Sequence, residues 1–182
     1  MDQYIGSVDA STLRQIGDRS YTMNRAMKKL LLLPFPLIML LMAAGDPQGF
    51  TIWKASDLKS RGEQLAAKMG PTKAVVSETL ADFGRYNTML SHRETSGGGE
   101  LHEKMADIFV IQSGDATVVV GGALTDSHTT GPGEVRGTAV TGGASHHVSV
   151  GDVVHIPANT PHQMLLDSGH QVTYFVVKVE SK

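Results

Sequence analysis

Glu100-Leu101-His102-Glu103-Lys104-Met105-Ala106-Asp107, running into Ile108-Phe109-Val110-Ile111 and closed by Gly114, is the stretch whose reading decides the fold. It sets a carboxylate and an imidazole two residues apart, then a second carboxylate at the head of an apolar run. On a strand, residues i and i+2 share a face, so Glu100 and His102 converge on one point, which a helix at this spacing does not allow. A second stretch, Gly151-Asp152-Val153-Val154-His155-Ile156-Pro157-Ala158-Asn159-Thr160-Pro161-His162, adds one imidazole just past a Pro-containing turn. Two strand segments that each turn nitrogen and oxygen donors to an inward face are how a barrel builds a metal site in its mouth.

Around these two stretches the chain reads as a turn-rich β protein, with twenty Gly and only 5% aromatic residues in 182. That length gives one domain plus extras, and a core that can bury most of its apolar surface without staples. With no Cys there is no disulfide framework, thiolate zinc site or cysteine nucleophile. The formal net charge of −2 and the lack of a basic patch interleaved with aromatics speak against nucleic acid as a partner. No nucleophile elbow, phosphate loop or dinucleotide fingerprint occurs, so hydrolase and nucleotide readings lack support.

Upstream, residues 1–22 are polar and without period. The basic segment Met23–Lys29 then leads into LLLLPFPLIMLLMAAG, residues 30–45, which carries no charge. This is the order of a secretory signal peptide: n-region, h-region, small-residue cleavage site. The run is short for a bilayer span, which needs about 20 apolar residues. Pro34 and Pro36 disfavour a buried helix. We expect translation to start at Met23, cleavage after Gly45, and a periplasmic or secreted product with no stable membrane span; an uncleaved anchor is the alternative. Cleavage leaves 11 Lys+Arg against 15 Asp+Glu, a net charge of −4. The organisation is thus residues 1–45 as extension and signal peptide, 46–72 as a lead-in, and 73–182 as the barrel.

In the lead-in, Ser56 as N-cap and Asp57 in the first turn predict a helix to about Met69, stopped by Gly70-Pro71. Its stripe of Leu58, Leu65 and Met69 packs on the outside of the barrel or on a second subunit, or else the helix is solvated. Beyond it, strands are predicted at Lys73–Leu80, Arg85–Glu94, Asp107–Gln112, Ala116–Val120, His147–Val150, Val153–Ile156, His162–Leu166 and Val172–Val179. Ser113-Gly114-Asp115 is read as a turn, and Gly131-Pro132-Gly133 as a hairpin with Glu134–Val140 as one arm. The last run, VTYFVVKV, is apolar on both parities as far as Val177, which predicts cover on both faces. About nine or ten short strands point to a small double-sheet barrel or jelly roll.

The two stretches together resemble the cupin family, whose motifs read Gly-x5-His-x-His-x3–4-Glu-x6-Gly and Gly-x5-Pro-x-Gly-x2-His-x3-Asn. Glu100 stands at the first His, His102 matches the second, Asp107 stands for the Glu, and Gly114 matches the closing Gly. Gly151, Pro157 and His162 match the second motif, while Asn159 replaces its Gly and Leu166 its Asn; Glu94 falls where the first motif has its leading Gly. The resemblance, over roughly 85–180, implies an all-β double-stranded β-helix or jelly-roll barrel, here with a short N-terminal helix. It also implies a divalent metal ion (Fe, Mn or Zn), a small-molecule ligand or substrate, and a homodimer, since cupins often pair.

The ligand set then reads Glu100, His102, Asp107 and His162. Glu100 serves as ligand or as a general base beside a metal held by others. Asp107, one methylene shorter than the Glu it replaces, is ligand or support. Without it, Glu100, His102 and His162 form a two-His-one-carboxylate face; with it the site is more closed. His155 is expected to face out, and His92, His128, His146, His147 and His170 to be solvated or hydrogen-bonded. Met164 is the better pocket residue if His162 points in, because Gln163 then points out. Arg93, Gln112 and Gln163 are the remaining polar pocket candidates. Three functions stay open: an exported metal-dependent enzyme of oxygenase or isomerase type, a non-catalytic binding module, and a structural homodimer.

Overall fold

The computed structural model describes residues 45–181; the predicted start at Met23, h-region and cleavage segment lie outside these residues, save Gly45. Asp46–Lys182 forms one compact unit. It begins with α1 (Ala55–Ala66) and continues as β1 (Val76–Asp82), β2 (Tyr86–Arg93), β3 (Gly99–His102) and the long β4 (Met105–Val120). The inter-motif segment holds β5 (Ala123–Thr125), β6 (His128–Gly131), β7 (Glu134–Gly137) and β8 (Ala139–Thr141). Then come β9 (Ala144–Ser149), β10 (Val153–Ile156), β11 (His162–Leu165) and β12 (Val172–Glu180). Every strand pairing is antiparallel.

The barrel is organised by β4. Its first half pairs with β12 on one edge and β10 on the other; its second half pairs with β11 and β9. One sixteen-residue strand therefore serves both sheets, where sequence predicted two strands and a turn. The correction has a local cause. Tyr174 pairs with Ile111 and Thr173 with Ser113, so Gln112 is an extra residue in the ladder. Such a bulge bends a strand without ending it. Gly114, with φ of 72°, completes the bend, and a Cβ there would collide with the carbonyl oxygen of Gln171.

The inter-motif segment also departs from expectation. The β6–β7 hairpin forms around Pro132-Gly133, but its second arm stops at Gly137 and the chain crosses to pair β8 with β5. The close approach of Gly137 to the carbonyl of Thr125 leaves no room for a side chain. Elsewhere the predicted strands hold to within a few residues. Phe109, Ile111, Val118, Ile156, Met164, Val172, Tyr174 and Val176 form the barrel core. The buried pattern of Val172–Tyr174 fits the cover predicted for the last strand.

Helix α1 packs on the outside, setting Leu58 and Leu65 against Leu90 with Trp53, Val76, Leu80 and Phe175 around them. Its apolar spacing was legible, but its ends were not. Lys54 occupies the N-cap without a side-chain cap, and Ser56 instead bonds Asp57 at 3.2 Å. Gly62 lets the helix close on β12: a Cβ there would meet Thr173 at 3.0 Å. Among the described residues no helix is long and apolar enough to cross a membrane.

Candidate metal centre

Three strands carry the centre. His162 on β11 pairs directly with Glu100 on β3, and His102 lies two residues further along β3. Directly paired residues of an antiparallel ladder share a face, so one face collects Glu100, His102 and His162. Each contributes a ligand atom, and these atoms lie within 4.8 Å of one another. β7 extends the same face: Glu134 stands opposite His102 and Arg136 opposite Glu100.

The two imidazoles are oriented alike. His102 Nδ1 donates to Glu134 at 2.8 Å, and His162 Nδ1 donates to the carbonyl of Thr160 at 3.0 Å. Both Nε2 atoms are buried and lack a hydrogen-bond partner. With Nδ1 protonated, a neutral ring keeps its lone pair on Nε2. Burial holds His162 below the ordinary imidazole range, more strongly than Thr160, Asp107 and Glu100 pull it back. It is therefore neutral at pH 7, the form that coordinates.

Asp107 comes from the other sheet, at the start of β4. Its Oδ2 lies 3.3 Å from His102 Nε2 and 3.5 Å from His162 Nε2, closer than Glu100, whose Oε2 is 3.7 Å from His102 Nε2. Its shorter side chain therefore does reach the imidazoles, because the pairing of Asp107 with Ile156 on β10 and Lys178 on β12 carries its backbone inward. Its second oxygen, Oδ1, sits 3.0 Å from Lys178 Nζ. Burial pushes this carboxyl up, but His102 and Lys178 outweigh it and hold it below the usual range.

Glu100 is engaged differently. Arg93 Nη2 donates to Oε1 at 3.1 Å, and Arg136 Nη1 is ion-paired with Oε2. Burial opposes its charge; Arg136 and Arg93 more than offset that and keep it ionised. A carboxylate clamped by two guanidiniums is a poor proton acceptor, so its surroundings suit a ligand or anchor better than a general base. Arg93 is fixed in turn by Nε donating to Tyr174 at 2.9 Å.

A cavity of about 160 Å³ opens on Glu100 and Asp107, with Arg93, Arg136 and Lys178 in its wall. A larger groove of about 370 Å³ lies outside the barrel between α1 and the bulge of β4, lined by none of Glu100, His102, Asp107 and His162. The smaller one borders the candidate centre through Glu100 and Asp107.

Donor type, orphaned Nε2 atoms and fixed Nδ1 partners all fit a divalent cation of the Mn, Fe or Zn kind. His155, His128, His146 and His147 are exposed. His92 bonds Thr173 at 2.8 Å and His170 bonds Asp115 at 3.1 Å, so these six stay out of the centre. Gln163 does not face solvent: it is buried, with its amide holding the Gly97 carbonyl at 2.8 Å and the Val140 amide at 3.0 Å. Gln112 lies at the bulge and lines the outer groove. Met164 joins the core beneath His162. Glu134, Arg136 and Lys178 were missed. Lys178 carried a signal, a lone cation in a strand otherwise covered on both faces; Glu134 and Arg136 depend on pairing with β3, which spacing does not reveal.

The backbone explains two motif positions. Asn159 adopts φ of 58°, a left-handed conformation Asn tolerates, where the cupin motif has Gly, and its N–H donates to the His102 carbonyl at 2.7 Å. Gly151 has φ of 92°.

No family model matches the chain, and no curated protein matches it significantly in sequence. Solved structures do. A double-stranded β-helix protein from Klebsiella pneumoniae is 10% identical, with a TM-score of 0.48, over 72% of this chain and 90% of its own. The cupin domain of Schizosaccharomyces pombe Cnp3 is 8% identical, with a TM-score of 0.46, over 64% and 72%. A Cupin_2 domain of an XRE family transcriptional regulator from Enterobacter cloacae is 13% identical, with a TM-score of 0.44, over 60% and 100%. The described residues form the all-β, double-sheet barrel with one short helix expected from the sequence.

Proposed function

We propose that this chain is an exported, metal-dependent enzyme of the cupin type that acts on a small organic molecule. One observation carries the reading. Two buried imidazoles, each fixed through Nδ1, aim unpartnered Nε2 atoms at the same oxygen of Asp107. Burying such lone pairs without a partner is unfavourable, and a bound cation relieves it. His102, His162 and Asp107 would hold the ion, with Glu100 as a fourth ligand or as an anchor to Arg93 and Arg136. A divalent ion there supplies Lewis acidity and open positions for an oxygen-bearing substrate. The protein's share is to orient both rings, keep Asp107 ionised and exclude water behind Phe109, whose ring lies 6.3 Å from that of His162. Such a face suits oxygenase chemistry when three ligands bind, and Glu100 as a fourth ligand would leave fewer open positions.

Elemental analysis of untagged protein beside His102→Ala and Asp107→Ala tests the centre. We expect near-stoichiometric metal, lost in both variants. No metal after reconstitution would leave a second reading, a metal-free binding barrel. That reading has its own support in Arg93, Arg136 and Lys178, which already neutralise the carboxylates.

Export rests on the basic segment and apolar run of residues 23–45. N-terminal sequencing of protein fractionated from a bacterial host should read from Asp46. An intact terminus in the cytoplasmic fraction would sink it.

A further inference from the structure

We propose that the 160 Å³ cavity beside the metal centre is a carboxylate subsite, so that the substrate is a small organic acid. The inference rests on the metal reading above and adds the substrate's chemical class.

The first argument is charge. Arg93, Arg136 and Lys178 face Glu100, Asp107 and Glu134 in one connected cluster, three cations against three anions. Counted formally, these six side chains give the cluster no net charge. A divalent ion raises it to +2 in a partly buried setting, where uncompensated charge is costly. A carboxylate, or a dicarboxylate, restores the balance.

The second argument is donors. Arg136 Nη1 is ion-paired with Glu100 and Lys178 Nζ lies 3.0 Å from Asp107, so a cation that drew these carboxylates to itself would release both donors. Lys178 has three N–H donors, and Asp107 is the acidic partner beside it among the described residues. Both residues line the cavity, with Ser77 and Ser91 adding hydroxyls to its wall. Guanidinium and ammonium together at one wall suit a carboxylate.

The third argument is size. The cavity holds roughly five waters at about 30 Å³ each, which accommodates an acid of malonate size.

The test is calorimetric titration of malonate into the full chain, with and without Mn²⁺, and of malonamide as the uncharged isostere. A parallel Mn²⁺ titration reads the metal site by itself. The proposal expects stoichiometric Mn²⁺, malonate binding at least about ten-fold tighter with the ion than without, and no measurable malonamide binding. Lys178→Met and Arg136→Gln should each weaken malonate about ten-fold or more when compared at Mn²⁺ concentrations that saturate each variant. Mn²⁺ binding with malonate absent, matched by malonamide, or indifferent to both substitutions overturns the subsite and leaves the metal reading standing. Failure of Mn²⁺ itself to bind overturns the metal reading and the subsite with it. The malonate–malonamide comparison needs no variant, so it decides the question even if a substituted chain fails to fold.

Discussion

Glu134 is the residue on which the orientation of the centre turns. It touches no proposed ligand atom, yet its carboxylate fixes the His102 ring through Nδ1. Carboxylates in this role raise the basicity of a ligating imidazole, and their loss lowers metal affinity by about 10–100-fold. Glu134→Gln should show that loss in chelator competition. His102→Ala should lose the ion outright. Unchanged affinity in Glu134→Gln would mean that the Nδ1 contact does not organise the site. Tyr174 makes a different prediction. Burial pushes its phenol above the ordinary value, against the opposing pull of Arg93. A raised folded pKa gives stability that is full below the unfolded value of about 10 and is lost as pH rises through the folded one. Tyr174→Phe should be less stable at pH 7 by about 1–3 kcal/mol, since Arg93 Nε loses its acceptor. Its stability should fall less steeply than wild type as pH rises above about 10. Parallel slopes in urea unfolding at those pH values would reject a role for the phenol.

Among the elements, β4 decides the geometry. It carries Asp107 in one sheet and reaches β11, beside His162, in the other. The sequence showed both apolar halves and the Gly between them, but not that the ladder continues through Gly114. A bulge depends on the partner strand, and Val172–Glu180 lies far along the chain. Helix α1 gives the same lesson: its buried Leu58 and Leu65 follow from spacing, whereas its cap does not. Within the site, Glu100 and His102 were legible because i, i+2 spacing fixes a shared face locally. The reach of Asp107 was not, since it depends on where two other strands hold the backbone. Gly114→Ala tests the bend. A left-handed φ for Ala costs about 1–3 kcal/mol, and the collision with Gln171 adds to it. We expect at least about 3 kcal/mol of destabilisation by urea unfolding, with metal affinity reduced in what remains folded. A loss below about 1 kcal/mol would mean that β4 bends elsewhere.

For the whole molecule, the barrel core and the metal centre should behave as one cooperative unit. Phe109 and Met164 belong to the core, and His162 packs beside Phe109. The ligands are drawn from β3, β4 and β11, which join both halves of the sheet. An ion that binds only the folded barrel stabilises it by RT ln(1 + [L]/Kd), about 2.7 kcal/mol at a hundred-fold excess over Kd. For a domain of this size that corresponds to a melting shift of roughly 10 °C. Holoprotein should therefore melt about that much higher than chelator-treated protein, and the gap should widen as free metal rises. The same shift should vanish in Asp107→Ala, because the orphaned Nε2 atoms lose the carboxylate that shares their ion. A metal-dependent shift that persists in Asp107→Ala would mean that Glu100, His102 and His162 hold the ion without Asp107, and would overturn the link between Asp107 and ligation.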